Sequence, residues 1–240
     1  MPRQRPTFVV HGRNYRPTKV QIYLDEFAGY VTISRKSYQV GRSFSSHKDI
    51  VVGRSLGRLM SSLQSICQTK IIIELGRFYE EYSAQYKACY NLFTFLRYLD
   101  EKRSRIKVLH RDKAFEFIGR PDSGESQSWV NRAVSGKMSS DARHGAHKIK
   151  MAAMRWHRNK SVAHKMAYNK RKAPKLRWND ILLLIRTASE YVRILDSIYQ
   201  RRQYNLPDPE DPSSETFRDM SRLITGNDTL NLGDVEMTTR

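Results

Sequence analysis

The sequence predicts an all-α protein, an up-and-down bundle of four or five helices. Three observations lead there. Apolar residues recur at steps of three, four and seven along several long stretches, the rhythm of a helix face. Segments containing glycine, proline and serine fall between those stretches. Side chains able to cap a helix, Asp141 and then Asn179 or Asp180, stand just ahead of two of the apolar patterns.

Taken in order, residues 1–17 read as a basic arm, with three prolines and four arginines and little to pack. Val20, Tyr23, Leu24, Phe27, Tyr30 and Val31 then predict a helix over about 18–35, with a strand reading left open for residues 30–40. Residues 41–48 read as a loop, so residues 1–49 form an N-terminal arm and extension to a helical domain over 50–202. In that domain a long pattern over 50–85 carries Leu56, Leu59, Met60, Leu63 and Ile66, then Ile71, Ile72, Leu75 and Phe78. A second helix is expected over 86–103, and a short one within 106–118, before residues 119–124 break the chain. Asp141 caps a helix expected over 141–164, with a thin stripe of Ala142, Ala146, Ile149, Ala153, Trp156 and Ala163. The final strong helix runs to about 202 on Ile181, Leu184, Ile185, Ala188, Val192, Leu195 and Ile198. Residues 203–240 read as a disordered acidic tail, with one weak helical turn near 217–223.

Charge is the strongest global signal. The chain of 240 residues has 43 Lys and Arg against 24 Asp and Glu, a net charge of +19. Such an excess favours polyanionic partners through phosphate contacts and counterion release. Its placement is uneven: residues 205–240 hold eight acids and three bases, whereas residues 137–177 hold thirteen bases, a single acid and four of the seven histidines. The two cysteines, Cys67 and Cys89, are too few for a disulfide scaffold and form no zinc-type pair. No stretch approaches the roughly 20 apolar residues that cross a bilayer, and no signal-peptide core follows the N-terminus. A cytoplasmic protein with no membrane association and no cofactor is expected.

One short element in the basic window fits catalysis: Arg158-Asn159-Lys160-Ser161-Val162-Ala163-His164. RNA is cleaved without a metal when its 2′-hydroxyl attacks the adjacent phosphorus. That reaction needs a proton donor or acceptor near neutral pKa, which histidine supplies, and a cation on the phosphate oxygens, which arginine supplies. The element resembles the HEPN signature of an arginine, a polar residue and a histidine a few positions on. The helix opening Trp178-Asn179-Asp180-Ile181-Leu182 and the upstream stretch Ile73-Glu74-Leu75-Gly76-Arg77-Phe78 resemble AbiU2-like HEPN proteins. The resemblance covers about residues 50–202 and leaves residues 1–49 and the tail without a counterpart. Arg105 and His110 also have a permitted spacing, but Ile106 follows that arginine.

The resemblance implies a metal-independent endoribonuclease in a toxin–antitoxin or phage-defence setting. Arg158 would stabilise the phosphate, His164 would be the general acid/base, and Asn159 would orient the histidine or the phosphate. Lys160, Lys165, Arg155, Lys170, Arg171 and Lys172 would hold the RNA backbone. On one straight helix Arg158 and His164 stand about 120° apart, so the chain unwinds near His164, or Arg158 reaches around, or two protomers share the groove. The family uses the shared groove, which implies a homodimer, and an antitoxin or other regulatory partner is expected with it. The alternative is a non-catalytic RNA- or DNA-binding helical module that uses the basic helix end for phosphates. A third reading makes the acidic tail a cover for the protein's own basic groove. His144, His147 and Asp141 have metal-ligand spacing, but a solvated basic face is the expected use and no metal is assigned.

Overall fold

Thr18 and Gln21 begin the first helix by capping each other: the Gln21 N–H donates to the Thr18 hydroxyl at 3.2 Å, and the Thr18 N–H donates to the Gln21 side chain at 2.6 Å. The computed structural model describes residues 8–10, 13–15, 18–47, 57–81, 89–159, 174–200, 204–211 and 214–225. Within the basic arm, β1 (Phe8–Val10) and β2 (Arg13–Tyr15) pair antiparallel as a short hairpin. Eight helices follow among the described residues, so the body is all-α, with more helices than the four or five expected.

Helix α1 (Lys19–Ser46) passes through both the possible strand and the expected loop. Its serines do not end it, because Ser43 and Ser46 return their hydroxyls to the carbonyls of Gln39 and Arg42. Gly41 keeps it close to the last core helix: a Cβ there would lie 2.6 Å from the indole of Trp178. With Tyr23, Leu24, Phe27, Val31 and Tyr38 all buried, α1 is a core helix and not an extension. Each such side chain removed from water stabilises by about 1.5–3 kcal/mol, so the division at residue 49 gives way to one core shared by residues 18–47 and the later helices.

Helix α2 (Gly57–Phe78) packs along α1. It stops short of the expected residue 85 because the chain turns at Tyr79, whose buried hydroxyl donates to Leu184 O at 3.0 Å. Helix α3 (Leu92–Glu101) starts later than expected, where Asn91 accepts from the Thr94 N–H at 2.8 Å. Helix α4 (Arg111–Ile118) ends at Gly119. The following loop is tied by Arg111, which grips Asp122 with two hydrogen bonds of 2.7 and 2.8 Å.

Helix α5 (Gln127–Arg143) was not expected, although Ser126 caps it and Val130, Val134, Met138 and Ala142 recur every four residues and are buried. The helix expected from Asp141 is therefore two. Ala142 is buried in the last turn of α5, the chain turns at His144, and α6 (Gly145–His157) restarts. Its inward face is Met151 and Met154 with Ala153 of the expected stripe, whereas Ile149 of that stripe is 73% exposed.

Helix α7 (Trp178–Tyr199) crosses the core on its expected stripe. Neither Asn179 nor Asp180 is the capping position. Asp180 lies in the first turn, where its carboxylate accepts from the Arg177 N–H at 2.9 Å and pairs with Lys150 at 2.7 Å. No helix among the described residues is long and apolar enough to cross a membrane.

The expectation of a disordered tail is corrected over residues 204–211 and 214–225, while the helical turn expected near 217–223 falls within a helix. Leu206 and Pro209 are buried, and Arg186 holds Asp208 through two hydrogen bonds of 2.9 Å while also reaching Glu210 at 3.2 Å. Arg35 donates to Pro207 O and Arg193 to Leu206 O, which fastens the strap to α1 and α7. Helix α8 (Glu215–Thr225) then sets Ile224 against Phe44, with Val40, Met60 and Met220 around the pair. Acidity alone does not keep this stretch unpacked, because its carboxylates meet arginines and its few apolar residues meet a surface. Residues 226–240 lie outside the described residues.

Candidate functional site

The arginine of the motif is held where α6 meets the end of α2. Helix α6 closes at His157, and the chain continues into a wider π-type turn at Arg158 and Asn159. Such turns break the regular advance of a helix and recur at functional sites. Arg158 itself keeps right-handed helical dihedrals, φ −56° and ψ −50°. Arg158 lays its side chain on Gly76, where a Cβ would meet its Cδ at 2.6 Å. Its Nη1 donates to Gly76 O at 3.2 Å and pairs with Glu80 at 3.0 Å. The side chain keeps 24% of its exposure, so the guanidinium is anchored but reachable.

Arg155, expected on the RNA backbone, is paired with Glu81 at 2.6 Å and three-quarters buried. Asn159 is exposed. His164, Lys160, Lys165, Lys170, Arg171 and Lys172 lie outside the described residues. The two ends of that interval stand together: the Nε2–H of His157 donates to Pro174 O at 2.7 Å. Beside them is a groove of about 380 Å³ lined by Gln68 and Ile72 of α2, His157, Pro174, Lys175, Leu176 and Arg177. Ile72 lies one turn before Gly76, so the groove reaches to within about 6 Å of the level of Arg158 along α2.

Lys175 and Arg177 are exposed on this groove and were not among the residues expected to bind RNA. Their signal was present in the basic window, but the chain's return to the motif after residue 173 is a tertiary fact. Gln68 had no signal of its own, being one polar residue on a long helix.

The histidines of the window serve different ends. His144 Nδ1 is bound to Ser140 O at 2.6 Å. His147 is turned inward, with Nε2 at 2.7 Å from the Thr187 hydroxyl. That hydroxyl spends its proton on Leu183 O, so the imidazole donates from Nε2, and Nδ1 is left buried without a partner. Burial, and then the charge of Lys150, push the imidazole pKa below its ordinary 6.5. Native His147 thus refuses a proton that the unfolded chain accepts near pH 6.5. Its stabilising contribution is complete above that value and is lost as pH falls below it. Between pH 7.5 and 5.5 the wild-type Tm is expected to fall more than that of His147→Gln; equal slopes in a thermal melt series would contradict this. Among the described residues no group of three His, Cys, Asp or Glu side chains is placed to hold a metal ion.

Fold and site together define a basic all-α protein with an arginine-led motif at a helix end. Comparison with protein-family models, with curated proteins and with solved structures gives no match for this chain.

Proposed function

We propose that the protein is an endoribonuclease of the HEPN type, acting in a toxin–antitoxin or phage-defence setting. The observation that carries this reading is the convergence of three features at one end of α6. These are a fixed, partly exposed Arg158, an exposed Asn159 in the π-type turn that follows α6, and a groove bearing Lys175 and Arg177. In the reaction proposed, the RNA 2′-hydroxyl attacks the adjacent phosphorus and His164 moves the proton. Arg158 stabilises the charge that develops on the non-bridging oxygens. Asn159 orients the histidine or the phosphate, and Arg155, Lys160, Lys165, Lys170, Arg171 and Lys172 hold the backbone, joined by Lys175 and Arg177. The HEPN resemblance adds metal independence, a homodimer with its groove between protomers, and a restraining partner.

Incubating the purified full chain with total RNA in EDTA tests this. Wild type is expected to release fragments ending in 2′,3′-cyclic phosphate, and His164→Ala to bind RNA without cutting it. Wild type that cuts nothing at any concentration would remove the nuclease reading.

A specific observation favours a second reading. Arg158 and Arg155 each already have a carboxylate partner, Glu80 and Glu81. With those pairs kept, the same surface is a phosphate-binding module without chemistry. It then binds RNA or DNA with an affinity that falls steeply with salt, and cleaves neither.

A further inference from the structure

The acidic stretch after α7 lies over cations, and they are not those of the basic window. Arg35 and Arg42 stand seven residues apart on α1, as Arg186 and Arg193 do on α7, so each pair shares one helix face at a spacing of about 10 Å. Electrostatics join the pairs into one patch. Burial, and then the charge of Arg193, pull the Arg35 pKa below its ordinary value, while Asp211 raises it. Burial and then Glu210 push the Tyr38 hydroxyl up to about 12, while Arg42 and Arg186 pull it down.

The carboxylates on this patch come from the strap, residues 204–211. Helix α1 has no acid between Glu26 and its end at Ser46. Between Arg186 and Arg193, α7 has one, Glu190, whose charge acts on His147 and Tyr191. Asp208 instead fills the Arg186 fork with two hydrogen bonds of 2.9 Å, and Glu210 adds a third at 3.2 Å. Glu210 also accepts from the Tyr38 hydroxyl at 3.2 Å. Arg35 and Arg193 each give an N–H to a backbone carbonyl of the strap, and the buried Arg35 Nε has no partner among the described residues. A guanidinium fork that takes a carboxylate through two parallel bonds takes a phosphate in the same way.

The strap is held in a manner that a polyanion competes with. Arg186, Asp208 and Glu210 keep 46, 47 and 44% of their exposure, so solvent and salt weaken their pairing. The apolar anchors are Leu206 and Pro209. A polynucleotide offers a phosphate to each guanidinium, and on a chain of net charge +19 its binding is further driven by counterion release. An acidic protein segment offers only carboxylates, which the strap already supplies with the advantage of its tether.

We infer that Arg35, Arg42, Arg186 and Arg193 form a binding surface for an RNA strand, and that the strap occupies it in place of the RNA backbone. The inference shares with the proposed function the expectation that the chain binds RNA, and it needs no motif residue.

Fluorescence anisotropy of the full chain with a labelled oligouridylate tests it. The 2′-hydroxyls of the probe are methylated, so the proposed cleavage chemistry does not consume it and failure of the nuclease reading leaves the measurement intact. Asp208→Asn with Glu210→Gln is expected to tighten binding at least tenfold, which corresponds to a strap seated about nine-tenths of the time or more. Leu206→Ser loosens the strap without changing charge and should shift affinity in the same direction. Asp112→Asn with Glu116→Gln makes the same change of charge at exposed positions on α4 and should shift affinity less than about twofold. With that control, the charge pair carries the test if Leu206→Ser does not fold. Adding Arg186→Gln to the loosened chain should remove most of the gain and lower the salt slope by about one. Arg158→Ala should leave the gain in place. Equal affinity of wild type and the loosened variants, an equal gain from the α4 control, a gain that Arg186→Gln leaves intact, or tighter binding of polyglutamate than of RNA to the loosened chain would overturn the assignment.

Discussion

Arg158→Ala is expected to lower the rate of RNA cleavage by at least about 100-fold, the loss that follows removal of one charge-stabilising donor from a reaction centre. Its effect on folding should be small. The ion pair with Glu80 joins groups that retain 24 and 27% of their exposure, and partly exposed pairs contribute about 1 kcal/mol or less. Arg158→Lys keeps a charge but loses the planar fork, so cleavage should remain well below wild type. The neighbouring carboxylate gives an opposite sign. Glu80→Gln relieves the competition for the guanidinium, so RNA affinity should rise and cleavage should be kept. If Arg158→Ala merely lowers Tm while cleavage and salt dependence stay at wild-type levels, the arginine is a structural clamp between α6 and α2.

Asn131→Leu is expected to be the most destabilising single change at a polar position. Asn131 is fully buried and makes three hydrogen bonds. It donates to Arg103 O at 2.7 Å and Ile106 O at 2.8 Å, and accepts from the Tyr199 hydroxyl at 2.8 Å. Leucine fits the space and satisfies none of them. Arg103 O is partly exposed and can turn to water, but Ile106 O and the Tyr199 hydroxyl cannot. Each buried group left unpaired costs about 1–3 kcal/mol, so the loss is about 2–5 kcal/mol, against a total stability on the order of 5–15 kcal/mol. For a chain of this size that corresponds to a fall in Tm of about 5–15 °C. Tyr199→Phe alone should cost about 1–2 kcal/mol. The double variant should lose less than the sum, because both changes break the same bond. A denaturation midpoint for Asn131→Leu close to wild type would show that the α5–α7 contact does not depend on this network.

Much of the helical content was legible because burial leaves a period in the sequence. The stripe on α7 and the residues Val20 to Val31 on α1 point inward as their spacing requires. Where apolar side chains were sparse, the reading failed. Helix α5 keeps its core face in four residues separated by polar ones, so its period is thin. At α6 the restart at His144 shifted the phase, and Ile149 came out exposed although it matched the stripe. Gly41 looked like a loop residue because its role, a close approach to Trp178, involves a partner far along the chain.

For function, the sequence by itself determined the excess of positive charge, its concentration in residues 137–177, and the order of arginine, asparagine and histidine in one short stretch. All of these are properties of composition and local order. The tertiary structure alone decided that Arg158 rests on Gly76 beside Glu80, that Pro174 returns to His157, and that acidic residues 208 and 210 lie against Arg186. Periodicity reports which face of a helix is buried. It carries no information about which distant residue meets that face, because the meeting is settled by packing and charge pairing between segments far apart in the chain.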